Sequence, residues 1–171
     1  HVMEMPDGTI VLGTRGGLCR IDIERQCYTV VTEEVGIINA LCLVNDTLVI
    51  GSRNGLWVYH NDKHMERIAL EGTVAQRENA INAMVTDGAD GVWICTNQRL
   101  MHVTFPTRNI KKYDITPALL NGNIRTLCRI GETLYIGPHT GALFSFDSTN
   151  ETFAPCPHFA LENIVNLSTD G

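Results

Sequence analysis

The chain repeats itself, and that limits its folds more than any other property. Four segments align on a shared leucine: residues 9–22 (TIVLGTRGGLCRID), 47–60 (TLVIGSRNGLWVYH), 91–103 (GVWICTNQRLMHV) and 133–147 (TLYIGPHTGALFSFD). Their anchors are Leu18, Leu56, Leu100 and Leu143. A second element reads IINALCLVND (37–46), AINAMVTDGADG (80–91), NIRTLCRIGE (123–132) and NIVNLSTDG (163–171), anchored on Ile38, Ile81, Ile124 and Ile164. Both series step by about 40 residues, the period of a repeat architecture rather than of one irregular domain. The approximate units are 1–36, 37–78, 79–121 and 122–162, with 163–171 starting the next.

Each unit reads as short strands. TLVIG and LWVYH are rich in β-branched and aromatic residues and bounded by Gly, Asn and Asp. The Asn54-Gly55 link has the chemistry of a tight hairpin turn, and Asn45-Asp46 and Asp87-Gly88 supply the turn before it. A fourth strand follows in CYTVV (27–31), MERIAL (65–70), IKKYDI (110–115) and TFAPC (152–156). No segment carries a capped helical period. Four short antiparallel strands per unit of about 40 residues define a β-propeller blade. The fold class is therefore all-β, a partial propeller of four four-stranded antiparallel repeats. One small sheet cannot cover two apolar faces, so blades stack, and Trp57 and Trp93 fill the space between them.

Charge and cysteine content remove several functions. The net charge is −6, and the densest basic stretch, residues 108–112 (RNIKK), is too short for a phosphate-binding surface, so no nucleic acid partner is expected. No apolar run approaches the ~20 residues of a membrane helix. The residues 1–8 have no signal-peptide pattern, and the chain reads as a piece of something longer. None of the six cysteines forms a CxxC pair. Cys19, Cys42, Cys95 and Cys128 lie in apolar strands and read as core filler, with a Cys19–Cys27 disulfide across a hairpin as the alternative. His60 and His64 have i, i+4 spacing in a turn rather than a helix, and GTRGG (13–17) lacks the ending of a phosphate loop. No nucleophile–base pair, carboxylate pair or metal constellation stands out, so neither catalysis nor a cofactor is expected.

The repeat resembles the two-component regulator propeller family. The first part of the motif is Ile38-Asn39-Ala40-Leu41, Ile81-Asn82-Ala83-Met84 and Ile124-Arg125-Thr126-Leu127. The second is Val11-Leu12-Gly13-Thr14, Val49-Ile50-Gly51-Ser52, Trp93-Ile94-Cys95-Thr96 and Tyr135-Ile136-Gly137-Pro138. The likeness covers nearly the whole chain. Cys95 replaces the motif glycine, Pro138 the hydroxyl residue, and Arg99 stands where Gly17 and Gly55 do. The resemblance implies a periplasmic sensor region of a Bacteroides-type hybrid two-component histidine kinase, anchored in the inner membrane. It implies an oligosaccharide or other small periplasmic ligand, and control of polysaccharide-utilisation genes. Neighbouring blades of the same parent would be its partners. The other reading is a stand-alone propeller that binds or scaffolds glycan or protein partners.

Two sets of residues are candidates for ligand binding. Aligned copies put Arg15, Arg53, Asn97 and His139 at one position of the turn after the second strand. They would project polar groups to one rim, where Arg and Asn suit hydroxyls, carboxylates or sulfates. Asn39, Asn82 and Arg125 share one position of the innermost strand and could line a central channel or satisfy neighbouring backbone. A four-blade piece would also expose apolar faces and self-associate.

Overall fold

A computed structural model describes residues 1–61, 64–70, 79–97, 99–115, 123–157, 164 and 166–167. Of the last repeat element, 163–171, only Ile164, Asn166 and Leu167 fall within the described residues. The described residues form four four-stranded antiparallel sheets, each a meander in chain order, and no helix. The first holds β1 (Val2–Glu4), β2 (Ile10–Thr14), β3 (Gly17–Asp22) and β4 (Cys27–Thr32). The second holds β5 (Ile38–Val44), β6 (Thr47–Ser52), β7 (Gly55–Asn61) and β8 (His64–Ile68). The third holds β9 (Ala83–Thr86), β10 (Gly91–Cys95), β11 (Arg99–Thr104) and β12 (Asn109–Asp114). The fourth holds β13 (Ile124–Ile130), β14 (Thr133–Pro138), β15 (Phe144–Asp147) and β16 (Thr152–Pro155). These are the propeller blades that the repeat announces.

The chain divides into two compact units, His1–Ile81 and Asn82–Gly171, each with two blades. In the first, Val11 and Leu18 of one blade pack with Leu41, Leu48, Ile50 and Trp57 of the next. In the second, Trp93, Cys95 and Leu100 pack with Ile124, Leu127, Ile136, Phe144 and Phe146. Both tryptophans are buried between blades, as their place in the repeat predicts. Burial of such side chains contributes roughly 1.5–3 kcal/mol each, and it is available only when a second blade covers the first.

The motif residues explain how blades seat. At two junctions the isoleucine that opens a repeat presses on the glycine of the preceding blade's second strand. A Cβ added at Gly13 would lie 2.6 Å from Ile38 Cγ2, and one at Gly137 2.9 Å from Ile164 Cγ2. The chain then bulges: the β5–β6 register shifts between Ile38 and Ala40, and the β13–β14 register between Ile124 and Thr126. A bulge frees one residue from the ladder and re-aims it. The freed residues are Asn39 and Arg125. In the third blade Cys95 stands at the glycine position, fully buried in the cluster that holds Ile124.

The turns follow their sequence, with one difference. Asn45 and Asp46 have φ of 46° and 61°, the paired left-handed conformation of a two-residue hairpin. In the next turn the positive φ falls on Gly55 (117°) and not on Asn54. Gly17 shows why: at φ 122° its missing Cβ would sit 2.0 Å from Thr32 O. The hydroxyl residue of the motif locks this turn. Thr14 Oγ1 donates to Gly17 O at 2.8 Å and accepts from Gly16 N at 3.0 Å. Ser52 does the same with Gly55 O and Asn54 N, both at 3.1 Å, while fully buried. In the third blade Thr96 Oγ1 accepts from Arg99 N at 3.3 Å. Pro138 cannot make this lock, and the fourth turn carries the extra residue.

Two readings are corrected. Cys19 lies opposite Val30 and Cys27 opposite Asp22, so the hairpin register separates the two thiols, and both are free. His60 and His64 lie in β7 and β8 rather than in a turn, with rings stacked at 4.7 Å and His60 Nε2 3.5 Å from Glu66 Oε2. The core-filler reading of the other thiols holds: Cys19, Cys42, Cys95 and Cys128 are buried. Burial pushes the Cys42 thiol up to about 12 and raises Cys95 as well.

If the isoleucine–glycine seat holds the blades together, Gly13→Ala should destabilise the chain by about 1–3 kcal/mol, the usual cost of overpacking. Urea unfolding followed by tryptophan fluorescence measures this. An unchanged midpoint would show that the seat is loose.

Candidate ligand-binding surface

The two candidate sets meet in the second unit. Asn82, just ahead of β9, donates from Nδ2 to Oδ1 of Asn97 in the β10–β11 turn at 2.8 Å. Arg125, freed by the β13 bulge, lies 2.9 Å through Nη1 from Nδ1 of His139 in the β14–β15 turn. A guanidinium has only donors, so His139 accepts at Nδ1 and its neutral ring carries the proton on Nε2. In each blade the first-strand residue thus braces the turn residue at the same end of the sheet. Backbone bonds fix the same junction: His139 N donates to Asn123 O at 2.7 Å, and Asn82 N to Cys95 O at 2.8 Å.

The first unit differs. Asn39 Nδ2 donates to Ile81 O at 2.8 Å, which ties its bulge to the start of the following repeat. Arg53 N donates to Ile37 O at 2.9 Å, and the Arg53 side chain is exposed. Arg15 is also exposed, in the β2–β3 turn. The end of each blade that carries these turns therefore presents guanidinium, amide and imidazole groups, all suited to oxygen-rich ligands. Among the described residues no group of His, Cys, Asp and Glu is arranged to hold a metal ion.

One cluster was not read from the sequence. At the opposite end of the third blade, His102 Nε2 lies 2.8 Å from Asp87 Oδ2. The His102 ring stacks on Trp93, its cross-strand partner, at 4.3 Å. Asp87 Oδ1 also accepts from Ala89 N at 2.8 Å and Gly91 N at 3.0 Å. Gly91 is required here, because a Cβ would fall 2.4 Å from Asp87 Oδ2 and 2.7 Å from His102 Nε2. Burial acts to raise the Asp87 carboxyl, but the Ala89 amide, His102 and the Gly91 amide together hold it below its usual value. The only sequence signal was the TDGADG turn beside Trp93, which reads as a turn and no more.

The architecture defines the class: the chain is built of β-propeller blades. No protein-family model matches it, and no curated protein does. Solved structures do. The extracellular domain of BT4673 from B. thetaiotaomicron, classed as a hybrid two component system, matches with a TM-score of 0.73 at 20% identity over 91% of this chain. The corresponding domain of BT3049 from the same organism matches with a TM-score of 0.71 at 19% identity over 90% of this chain. A catalytically inactive virginiamycin B lyase from Staphylococcus aureus, with quinupristin, matches with 0.69 at 13% identity over 90%. The chain spans 21% of the BT4673 structure, 24% of the BT3049 structure and 53% of the lyase. At these identities the likeness shows the fold, and a fold hosts more than one function. Sensor domains of the kind to which the repeat motif pointed are among the proteins that share it.

The Asp87–His102 pair has a pH signature. A depressed carboxyl contributes stability above its unfolded value of about 3.9, and the contribution disappears as pH falls through the folded value. Asp87→Asn should therefore cost about 1–3 kcal/mol near neutral pH, and much less at pH 3. Urea unfolding of both proteins at the two pH values checks it. A difference that persists at pH 3 would assign the loss to shape rather than charge.

Proposed function

We propose that the chain is a ligand-sensing propeller segment of a hybrid two-component sensor histidine kinase/response regulator, placed in the periplasm and held at the inner membrane by its parent. The observation that carries this reading is the match of about nine-tenths of the chain to extracellular domains of such systems, joined to the repeat motif itself. The segment has no chemistry of its own. Its ligand is an oligosaccharide or another small periplasmic molecule, and its output controls polysaccharide-utilisation genes.

The braced turn residues suit that role. Asn82 with Asn97, and Arg125 with His139, are preformed pairs of hydrogen-bonding groups at blade ends. A ligand with hydroxyl or carboxylate groups would share or exchange those bonds. Arg15, Arg53 and Asn39 would contribute from their own blades. Binding would favour one arrangement of the paired sensors over another, a population shift rather than a chemical step.

Self-association of the isolated segment belongs to the same proposal. The face of the first blade turned away from the second carries the aligned row Val2, Leu12, Cys19 and Val30, with Tyr28 beside it. Val2 is 68% exposed, Tyr28 69% and Val30 47%, all on the two edge strands of that sheet, while Cys19 in its middle is buried.

An antibody against this segment, applied to fractionated native cells, tests the reading. The expected product is membrane-bound and several times larger than the 18.9 kDa of this chain. A soluble product of about that size would overturn the sensor reading and leave a stand-alone binding propeller.

A further inference from the structure

The first unit holds a cavity of about 540 Å³ at the end of its blades opposite to the turns of Arg15 and Arg53. The β1–β2 turn contributes Met5, Pro6 and Asp7, the β5–β6 turn Asp46, β3 Arg20, and β7 Tyr59, His60 and Asn61. Arg20 is out of character with its surroundings. Its cross-strand partner is Val11, on the face that packs with the second blade. The guanidinium Nη2 donates to Tyr59 Oη at 3.1 Å, a bond that reaches from the first blade to the second.

The third blade is arranged differently at this end. There a turn carboxylate, Asp87, meets a β11 side chain, His102, and Trp93 stacks over the ring and closes the space. In the aligned first blade Arg20 and Val11 stand where His102 and Trp93 do, Met5 holds the position of Asp87, and the carboxylate of that turn, Asp7, lies two residues further on. The strand cation of the first blade thus has no turn carboxylate at the place where His102 has Asp87, and the cavity lies beside it. The Asp7 carboxyl is lowered first by the Thr9 amide, with a lesser contribution from the charge of Arg20.

We propose that this cavity binds a small zwitterion, a free α-amino acid or short peptide. Its carboxylate meets Arg20 and the Tyr59 hydroxyl, its ammonium lies between Asp7 and Asp46, and its apolar part rests on Met5 and Pro6. The charges select this class. A simple anion would face two carboxylates, a simple cation would face the guanidinium with the His60 ring beside it, and a neutral sugar would satisfy neither. A zwitterion matches both signs of charge with charge-assisted hydrogen bonds. The inference does not rest on the sensor reading, since it concerns this unit alone.

Titration calorimetry on the whole chain tests it, with L-leucine and glycyl-L-leucine as probes. L-leucinamide, N-acetyl-L-leucine and maltose are the comparators. The proposal expects a zwitterion to bind and each singly charged analogue to bind about tenfold more weakly or worse, the loss of one charge-assisted bond. Asp46→Asn should weaken binding severalfold with unchanged thermal unfolding, because asparagine accepts the φ of 61° found there. Arg20→Gln should abolish it. Any of three results would overturn the proposal: no heat from either zwitterion at millimolar concentration, equal affinity for the singly charged analogues, or Asp46→Asn binding like the unmodified chain. Maltose binding lost in Arg20→Gln would assign the cavity to neutral sugars instead.

Discussion

An isoleucine side chain on a glycine holds this architecture together. A four-stranded sheet of three- to seven-residue strands has two faces and cannot bury both. The chain solves this by opening repeats with an isoleucine that, at two junctions, is aimed at the blade before it. The preceding blade keeps a glycine in its second strand to receive it, as Ile38 and Gly13 show, and again Ile164 and Gly137. β-branching makes the isoleucine stiff, so the contact fixes where the next strand starts. The rest of the apolar interface, from Leu18 to Trp57 in one unit and Trp93 to Phe146 in the other, falls into place behind it.

The same constraint generates the polar surface. A strand that must plug the previous blade and then pair within its own bulges at the next residue, and that residue leaves the ladder. It is Asn39 in one blade and Arg125 in another. Freed from the ladder, the side chain reaches the turn after the second strand or the backbone of the following repeat. The buried hydroxyl of Thr14 or Ser52 stiffens that turn from within. Structure and recognition are therefore coupled at one place: the seat that joins blades also decides which polar residues face outward. Repeats vary around this plan. Trp93 stacks on His102 in the third blade, whereas the first blade has Val11 at that position and a cavity beside Arg20.

Much of this was legible in the sequence. Period, strand order, turn chemistry and the burial of the tryptophans and four cysteines all follow from patterns that recur in every copy. Side-chain partnerships were less legible, for a physical reason. Asn82 with Asn97 and Arg125 with His139 join residues that alignment sorts into separate sets, and only the bulge and the returning turn bring them together. Asp87 with His102 was hidden because its members belong to no repeated position: the aligned β-strand residues are Arg20, Val58, His102 and Ser145. A repeat reveals what is shared between blades and conceals what each blade does alone. His60 and His64 show the converse error, since HNDKH reads as a turn while β-pairing of Asn61 with His64 carries both in strands.

The seat between blades can be observed directly. In a methyl-labelled sample, a nuclear Overhauser spectrum should connect the Ile38 γ2 methyl with the Gly13 α protons, and the Ile164 γ2 methyl with those of Gly137. Both contacts are predicted by the distances at these glycines. Assigned resonances without these cross-peaks would contradict the account, because the blades would then be joined by something other than the isoleucine seat.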